Sequence, residues 1–253
     1  MATIASGSSH LGRVIQDARF TSTNTMIFTA HYTAPSTLSN SSRETIVSLG
    51  STTGGIALQI YDSVGDGSHT IQVWFEGVTH NFTSHTVAED ESMTLLCEWN
   101  HTNDEITVYK NTYASGQTLS AGPGVAALRN SLRFGARFQT TWQDYLSANS
   151  ELAYVGYWQG QGALPSQSDY TDFLENNISP EAITGFNADL DHMYHLVIDA
   201  TPTVTSESIN VYYRKSASYF ERDDMVLAWM PLPPPYTFTA NNELYQIRLE
   251  GAV

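Results

Sequence analysis

Side chains suited to chemistry are few in this 253-residue chain, and their spacing argues against catalysis. Glycoside hydrolysis needs two carboxylates held at a defined separation across one groove. The acidic clusters Glu89-Asp90-Glu91 and Glu221-Arg222-Asp223-Asp224 instead lie just ahead of apolar stretches, where they read as solvated loops, and no Glu-x-Asp-x-Glu run occurs. A sandwich-type polysaccharide lyase would need Arg, Gln, His and Tyr converging on one sheet. Arg133 and Arg137 share a strand face and Gln139 follows, but no Gln-x-His or Tyr-x-Lys-x-Gly pattern completes the set. In an acidic chain these arginines read as partners of carboxylates. His192 and His195, with Asp189, Asp191 and Asp199, have the residue types of a transition-metal site. Their three-residue spacing sends the two rings to opposite sides of a strand, which leaves them a structural role. No Ser-His-Asp arrangement stands out in so serine-rich a chain, and no phosphate loop is present. The expectation is a protein that is not an enzyme and requires no cofactor.

Binding offers better candidates. Asp62 and Asp66 flank Ser63-Val64-Gly65, and hard oxygen ligands on a loop suit calcium; the competing reading is an ordinary polar turn. Sugar recognition needs an exposed aromatic platform with polar neighbours. The stretch Phe138 to Tyr145 has that character: Trp142 and Tyr145 would stack on a pyranose while Gln143 and Asp144 bond its hydroxyls. Alternatively both aromatics fold back onto the edge of the domain. Trp74 is a second platform, facing away from the Ile71, Val73 and Phe75 side, unless a C-terminal extension covers that face. Met230, Pro233, Pro234, Pro235 and Tyr236 belong to an extended, proline-rich segment suited to contacts with neighbouring subunits.

Composition narrows the partners. The net charge is −15, from 11 basic and 26 acidic residues, with Lys110 and Lys215 as the only lysines. Phosphate backbones and anionic membrane surfaces both require clustered positive charge, so nucleic acid and membrane binding are disfavoured. No apolar run approaches the roughly 20 residues that cross a bilayer. The first 20 residues lack the charged start and long apolar centre of a signal peptide. The single cysteine, Cys97, rules out an internal disulfide framework and reads as a buried core thiol.

The elements that must position these residues are strands. Period-two alternation recurs from Met26 to Tyr32, Ile56 to Ile60, Ile71 to Phe75, Met93 to Trp99, Glu105 to Lys110, Leu132 to Phe138 and Leu152 to Trp158. Gly-, Asn- and Asp-rich breakers separate them, with Asp66-Gly67 and Asn103-Asp104 as tight turns. One segment, Ser166 to Glu175 after Pro165, has helical spacing, with Tyr170, Phe173 and Leu174 on one side and a serine N-cap. Ser179-Pro180-Glu181 opens a helical turn, and four further strand-like runs follow. The pattern predicts an all-β protein: an antiparallel two-sheet jelly-roll sandwich with one short capping helix and a β-rich C-terminal extension. Its divisions are an N-terminal arm (1–19), the sandwich (20–178) and the extension or small appended sheet (179–253).

Three local features resemble the laminin-G-like branch of the concanavalin A-like lectin and glucanase jelly rolls. They are Ile46-Val47-Ser48-Leu49-Gly50 with Gly55 to Ile60, the Leu95–Trp99 strand before Glu105 to Asn111, and Leu152 to Trp158 before Leu164-Pro165-Ser166 and the helix. The resemblance implies the sandwich fold, which hosts lectins, lyases, glucanases and structural modules alike. The first expectation of function is a non-catalytic virion structural protein: a bacteriophage decoration, fibre or other surface component, made in the host cytoplasm. Its partners would be other virion proteins and copies of itself. The grounds are the lone cysteine, no export signal, an acidic Ser/Thr-rich surface, and polar or proline-rich ends that would drape over neighbours. The alternative is a glycan-binding lectin module for host or cell-surface recognition, and the second alternative a polysaccharide-cleaving enzyme.

Overall fold

The computed structural model describes residues 2–3, 12–14, 25–38, 43–50, 54–62, 69–123, 131–135, 137–138, 142–143, 146, 150–188, 190–199, 210–214 and 248–249. Within them the chain folds as a two-sheet antiparallel sandwich. The larger sheet is built around β3 (Thr25–Thr33), β8 (Ser92–Asn100), β9 (Glu105–Lys110), β10 (Gln117–Ser120) and β14 (Glu151–Gly160). Its C-terminal strands are β15 (Asp191–Asp199), β16 (Asn210–Arg214) and β17 (Arg248–Leu249). The strand order is β10-β9-β8-β3-β14-β15-β16-β17, with β1 (Ala2–Thr3) also pairing β14; β16 and β17 run parallel. The smaller sheet has the order β2-β11-β4-β5-β6-β7. Its strands are β2 (Gly12–Val14), β4 (Arg43–Gly50), β5 (Gly55–Tyr61), β6 (His69–Phe75), β7 (Val78–Val87) and β11 (Ser131–Phe134). A separate ribbon joins β12 (Arg137–Phe138) to β13 (Trp142–Gln143).

Alternation decides which side chains fill the sandwich. Phe28, Ala30 and Tyr32 of β3, Leu95, Cys97 and Trp99 of β8, and Val155 and Tyr157 of β14 meet Leu58, Ile60, Val73 and Phe75 from the smaller sheet. Phe75 packs on Trp99 at 4.3 Å between centroids, and Phe28 stacks on Tyr157 at 5.0 Å, the offset geometries aromatic pairs favour. Burial pushes the Cys97 thiol far up, with the Glu98 carboxylate adding to the effect, so the thiol stays protonated and inert. One polar island interrupts this core: the Tyr32 hydroxyl donates to Glu44 Oε2 (2.8 Å), and Ser150 Oγ donates to the same oxygen (3.0 Å).

A second core lies on the far side of the larger sheet. Ile27, Leu96, Tyr154 and Trp158 point outward and are covered by α1 (Gln167–Leu174), α2 (Thr184–Ala188) and the 3-10 turn Pro180–Ala182. Helix α1 starts where expected. Ser166 Oγ accepts from the Asp169 amide (3.4 Å) and Asp169 Oδ2 accepts from the Ser166 amide (2.7 Å), a reciprocal capping box. The Tyr170 hydroxyl donates to Glu98 Oε2 (2.6 Å), and the Tyr154 hydroxyl donates to Glu181 Oε1 (2.8 Å). Gly156 permits this packing, since a Cβ there would lie 2.4 Å from the Trp158 ring.

A polar seam ties one long side of the sandwich. Ser84 of β7 donates to Gln117 of β10, His85 Nε2–H donates to the Val108 carbonyl (2.9 Å), and Lys110 pairs with Glu91 (2.5 Å) while donating to the Thr86 carbonyl.

Among the described residues the expected strands are present with three differences, while the expected run 225–230 and most of 244–249 lie outside them. The single run from Leu132 to Phe138 is broken at Gly135 (φ +76°), whose amide donates to Ile46 O and whose carbonyl accepts from Leu146. Strand β7 had no strand signal, because residues such as Thr79, Asn81, Thr83 and Ser84 are exposed and only Phe82, His85 and Val87 are buried. The helix α2, held by Phe186 in the second core, is likewise additional. The 191–199 and 210–214 strands continue the larger sheet through β14, with Val155 opposite Leu196 and Val197 opposite Tyr212. Among the described residues no helix is long and apolar enough to cross a membrane.

Candidate functional site

The outer face of the smaller sheet gathers most of the polar chemistry. With Ile56, Leu58 and Ile60 of β5 and Ile71, Val73 and Phe75 of β6 committed to the core, the opposite parity presents Ala57, Gln59 and Tyr61, then Thr70, Gln72 and Trp74. A register shift between Thr45 and Val47 lets both Ile46 and Val47 join the core while Arg43 and Thr45 stay outward. Register then aligns rows across the strands. Thr45, Gln59, Gln72 and Asn81 form one row, and Ser48, Ala57, Trp74 and Thr79 the next.

Hydrogen bonds run along and between these rows. Gln59 Nε2 donates to Thr45 Oγ1 (2.8 Å), Arg43 Nε donates to Gln72 Oε1 (3.1 Å), and Gln72 Nε2 donates to Asn81 Oδ1 (2.7 Å). The Arg43 guanidinium also lies 4.3 Å above the centre of the Tyr61 ring, a cation–π contact. Arg133 Nη1 donates to the Gly50 carbonyl (2.8 Å), and the Arg137 guanidinium lies 5.0 Å from the centre of Trp74. Three of the four basic side chains described, Arg43, Arg133 and Arg137, therefore converge here, in a chain of net charge −15.

Accessibility divides the face. Gln59, Ser48, Trp74, Arg133 and Arg137 are buried within the chain, whereas Arg43 and Tyr61 are half-buried and Thr79 and Asn81 exposed. Gln72 is buried as well, at 1% exposure, so of the strip Arg43, Tyr61, Gln72, Asn81, crossing β4 to β7, the reachable members are Arg43, Tyr61 and Asn81. Three interstrand steps make the strip about 14 Å long.

The sequence-derived candidates fall differently. Trp74 does face away from the core, but it is not an open platform: only 6% of it is exposed, and Arg137 lies over its ring. Trp142 and Gln143 form β13, whose backbone pairs with Phe138 and Arg137; the ribbon therefore belongs beside the same outer face. Asp144 and Tyr145 lie outside the described residues, as do Asp66, Met230, Pro233, Pro234, Pro235 and Tyr236. Asp62 directly follows β5 and is 1% exposed. Among the described residues no three His, Cys, Asp or Glu side chains converge. Arg133 and Arg137, expected on one strand face, are separated by the Gly135 break; among their contacts are the Gly50 carbonyl and the Trp74 ring.

The strip itself was missed. Its signal was the polar parity of strands recognised only by their apolar parity: Gln59-x-Tyr61 and Gln72-x-Trp74 each place an amide and an aromatic on one face. Arg43, Gln59, Gln72 and Tyr61 supply Arg, Gln and Tyr of the lyase set. In β4–β7, however, His80 pairs with core-facing Val73 and His69 pairs with Val87, so no described histidine stands in these outward rows.

No family model matches the chain, and no curated protein matches it. Among solved structures it is similar to a heptameric SAP-like pentraxin from Limulus polyphemus, at TM-score 0.51 and 10% identity over 74% of this chain and 87% of that one. It is also similar to the CBM40 module of Ruminococcus gnavus IT-sialidase, bound there to α2,3-sialyllactose, at TM-score 0.45 and 10% identity over 69% and 95%. A third similarity is to a homodimeric agglutinin from chicken liver, at TM-score 0.35 and 7% identity over 58% and 99%. Of these three, the pentraxin superposition is close enough to speak for architecture, and at that identity it speaks for architecture alone. The fold is an antiparallel jelly-roll sandwich.

Proposed function

We propose that the protein is a non-catalytic glycan-binding module, with the strip Arg43, Tyr61, Gln72 and Asn81 as the place where sugar lies. The observation that carries this reading is the strip: a guanidinium over an aromatic ring, joined by hydrogen bonds through the buried Gln72 amide to the exposed Asn81 amide on a packed sheet face. Sugar recognition needs a few fixed polar groups beside an amphipathic aromatic surface. The module would serve equally free or as the receptor-recognising part of a phage particle. The virion role itself, including assembly through Met230 to Tyr236, rests on sequence composition. We place the chain in the laminin-G-like branch of the concanavalin A-like jelly rolls. The Trp142 to Tyr145 segment is proposed as a second contact from the neighbouring ribbon, and a calcium ion at Asp62 and Asp66 as an ancillary ligand.

A glycan array tests the main reading. Tyr61→Ala and Asn81→Ala should each weaken binding about tenfold or more; Asn81→Ala also takes the acceptor from buried Gln72 Nε2, so its melting temperature should fall by the equivalent of about 1–3 kcal/mol. A blank array at millimolar sugar removes the reading. Release of oligosaccharide from a polymer would replace it with the enzymatic one.

A further inference from the structure

We infer that the strip selects saccharides that carry a carboxylate; the inference rests on the glycan-binding reading and names its substrate class. The argument is one of hydrogen-bond direction. A guanidinium has donors only. Arg43 Nε therefore requires the oxygen of the Gln72 amide to face it, which turns Gln72 Nε2 toward Asn81 and engages Asn81 Oδ1. The two amide oxygens of the strip are thus engaged internally, and the Tyr61 hydroxyl is left as its outward group able to accept. The outward donors are the Asn81 Nδ2 group and the two Nη groups of Arg43, and among the described residues none of these has a protein partner.

A sugar hydroxyl both donates and accepts, so a strip whose outward groups are mostly donors satisfies it only in part. A carboxylate accepts only, and it pairs with a guanidinium fork through short, charge-assisted bonds. Net charge makes the site's sign more telling. In a chain of net charge −15, long-range attraction cannot gather anions unselectively, so preference for an acid must come from contact at this strip. A peptide is the poorer fit, because extended peptides recognise a sheet along its unpaired edge, while these donors stand on its face.

Binding should be measured by calorimetry for matched pairs: sialyllactose against lactose, and oligogalacturonate against its methyl ester, with poly-glutamate as the non-sugar acid. The acidic member of at least one pair should bind about tenfold tighter or more. Arg43→Gln should erase that preference, and Arg43→Lys should restore only part of it, since an ammonium lacks the planar fork. Asn81→Asp, at an exposed position, keeps the test open if Arg43 variants fold poorly; it turns a donor into an acceptor and should cut binding of the acidic member selectively. Equal binding within both pairs overturns the inference and leaves the glycan reading standing. No binding to any sugar overturns both. Poly-glutamate binding as tightly as oligogalacturonate also overturns it, in favour of an acidic peptide.

Discussion

Glu98 is a carboxylate at 6% exposure between the larger sheet and the helical cap, and its one described donor is the Tyr170 hydroxyl. Burial raises its pKa above the ordinary value, the Tyr170 bond opposes this, and Glu105 adds to it. A folded-state pKa above the unfolded one means that stability is fully present below the unfolded value and lost as pH rises through the folded value. Ionised Glu98 is thus a cost at neutral pH. Glu98→Gln keeps an acceptor for Tyr170, so it should melt at or above the wild-type temperature at pH 7, with the advantage shrinking toward pH 4 (roughly the ordinary Glu value). Tyr170→Phe should instead cost about 1–3 kcal/mol by leaving the carboxylate without its donor. Thermal melts across pH check both. Histidines 31, 80 and 85 act with the opposite sign: burial lowers their pKa values, so their contribution is present above pH 6.5 and lost below it.

Among the elements, legibility followed one physical signal. Helix α1 could be read because its cap is local: Ser166, Asp169 and the Tyr170/Phe173/Leu174 stripe lie within nine residues of sequence. Ser166→Ala should cost about 1 kcal/mol, measured by chemical denaturation, by removing the side-chain acceptor of the capping box. Strands buried on one face were legible through alternation. Strand β7 was not, because half of its residues meet water and its place is set by pairing with β6. The break at Gly135 was equally hidden: alternation from Leu132 to Phe138 looks unbroken until the chain must leave the sheet to form the ribbon. The candidate site was hardest. Its residues come from four strands, and only three-dimensional register brings Arg43, Tyr61, Gln72 and Asn81 into one strip.

At the scale of the molecule, strand β14 occupies the middle of the larger sheet, with β3 on one side and β15 on the other. Its side chains also serve both cores, Val155 and Tyr157 inward, Tyr154 and Trp158 beneath the helices. A chain ending at Leu190 would keep the helical cap but leave β14 unpaired from Tyr154 to Gln159 along one edge. Exposed edges recruit other strands, so this truncation should lose stability and self-associate, which light scattering and melting would detect.

The division of β4 to β7 into a core parity and an outward parity has a practical reading. Arg43, Tyr61, Thr79 and Asn81 can be randomised as a set without touching Leu58, Ile60, Val73 or Phe75, so the reachable strip is a writable surface on a fixed chassis. A one-residue insertion within β5 or β6 has the reverse character: it would exchange the two parities wholesale, sending Gln72 into the oil and Val73 out among the polar rows.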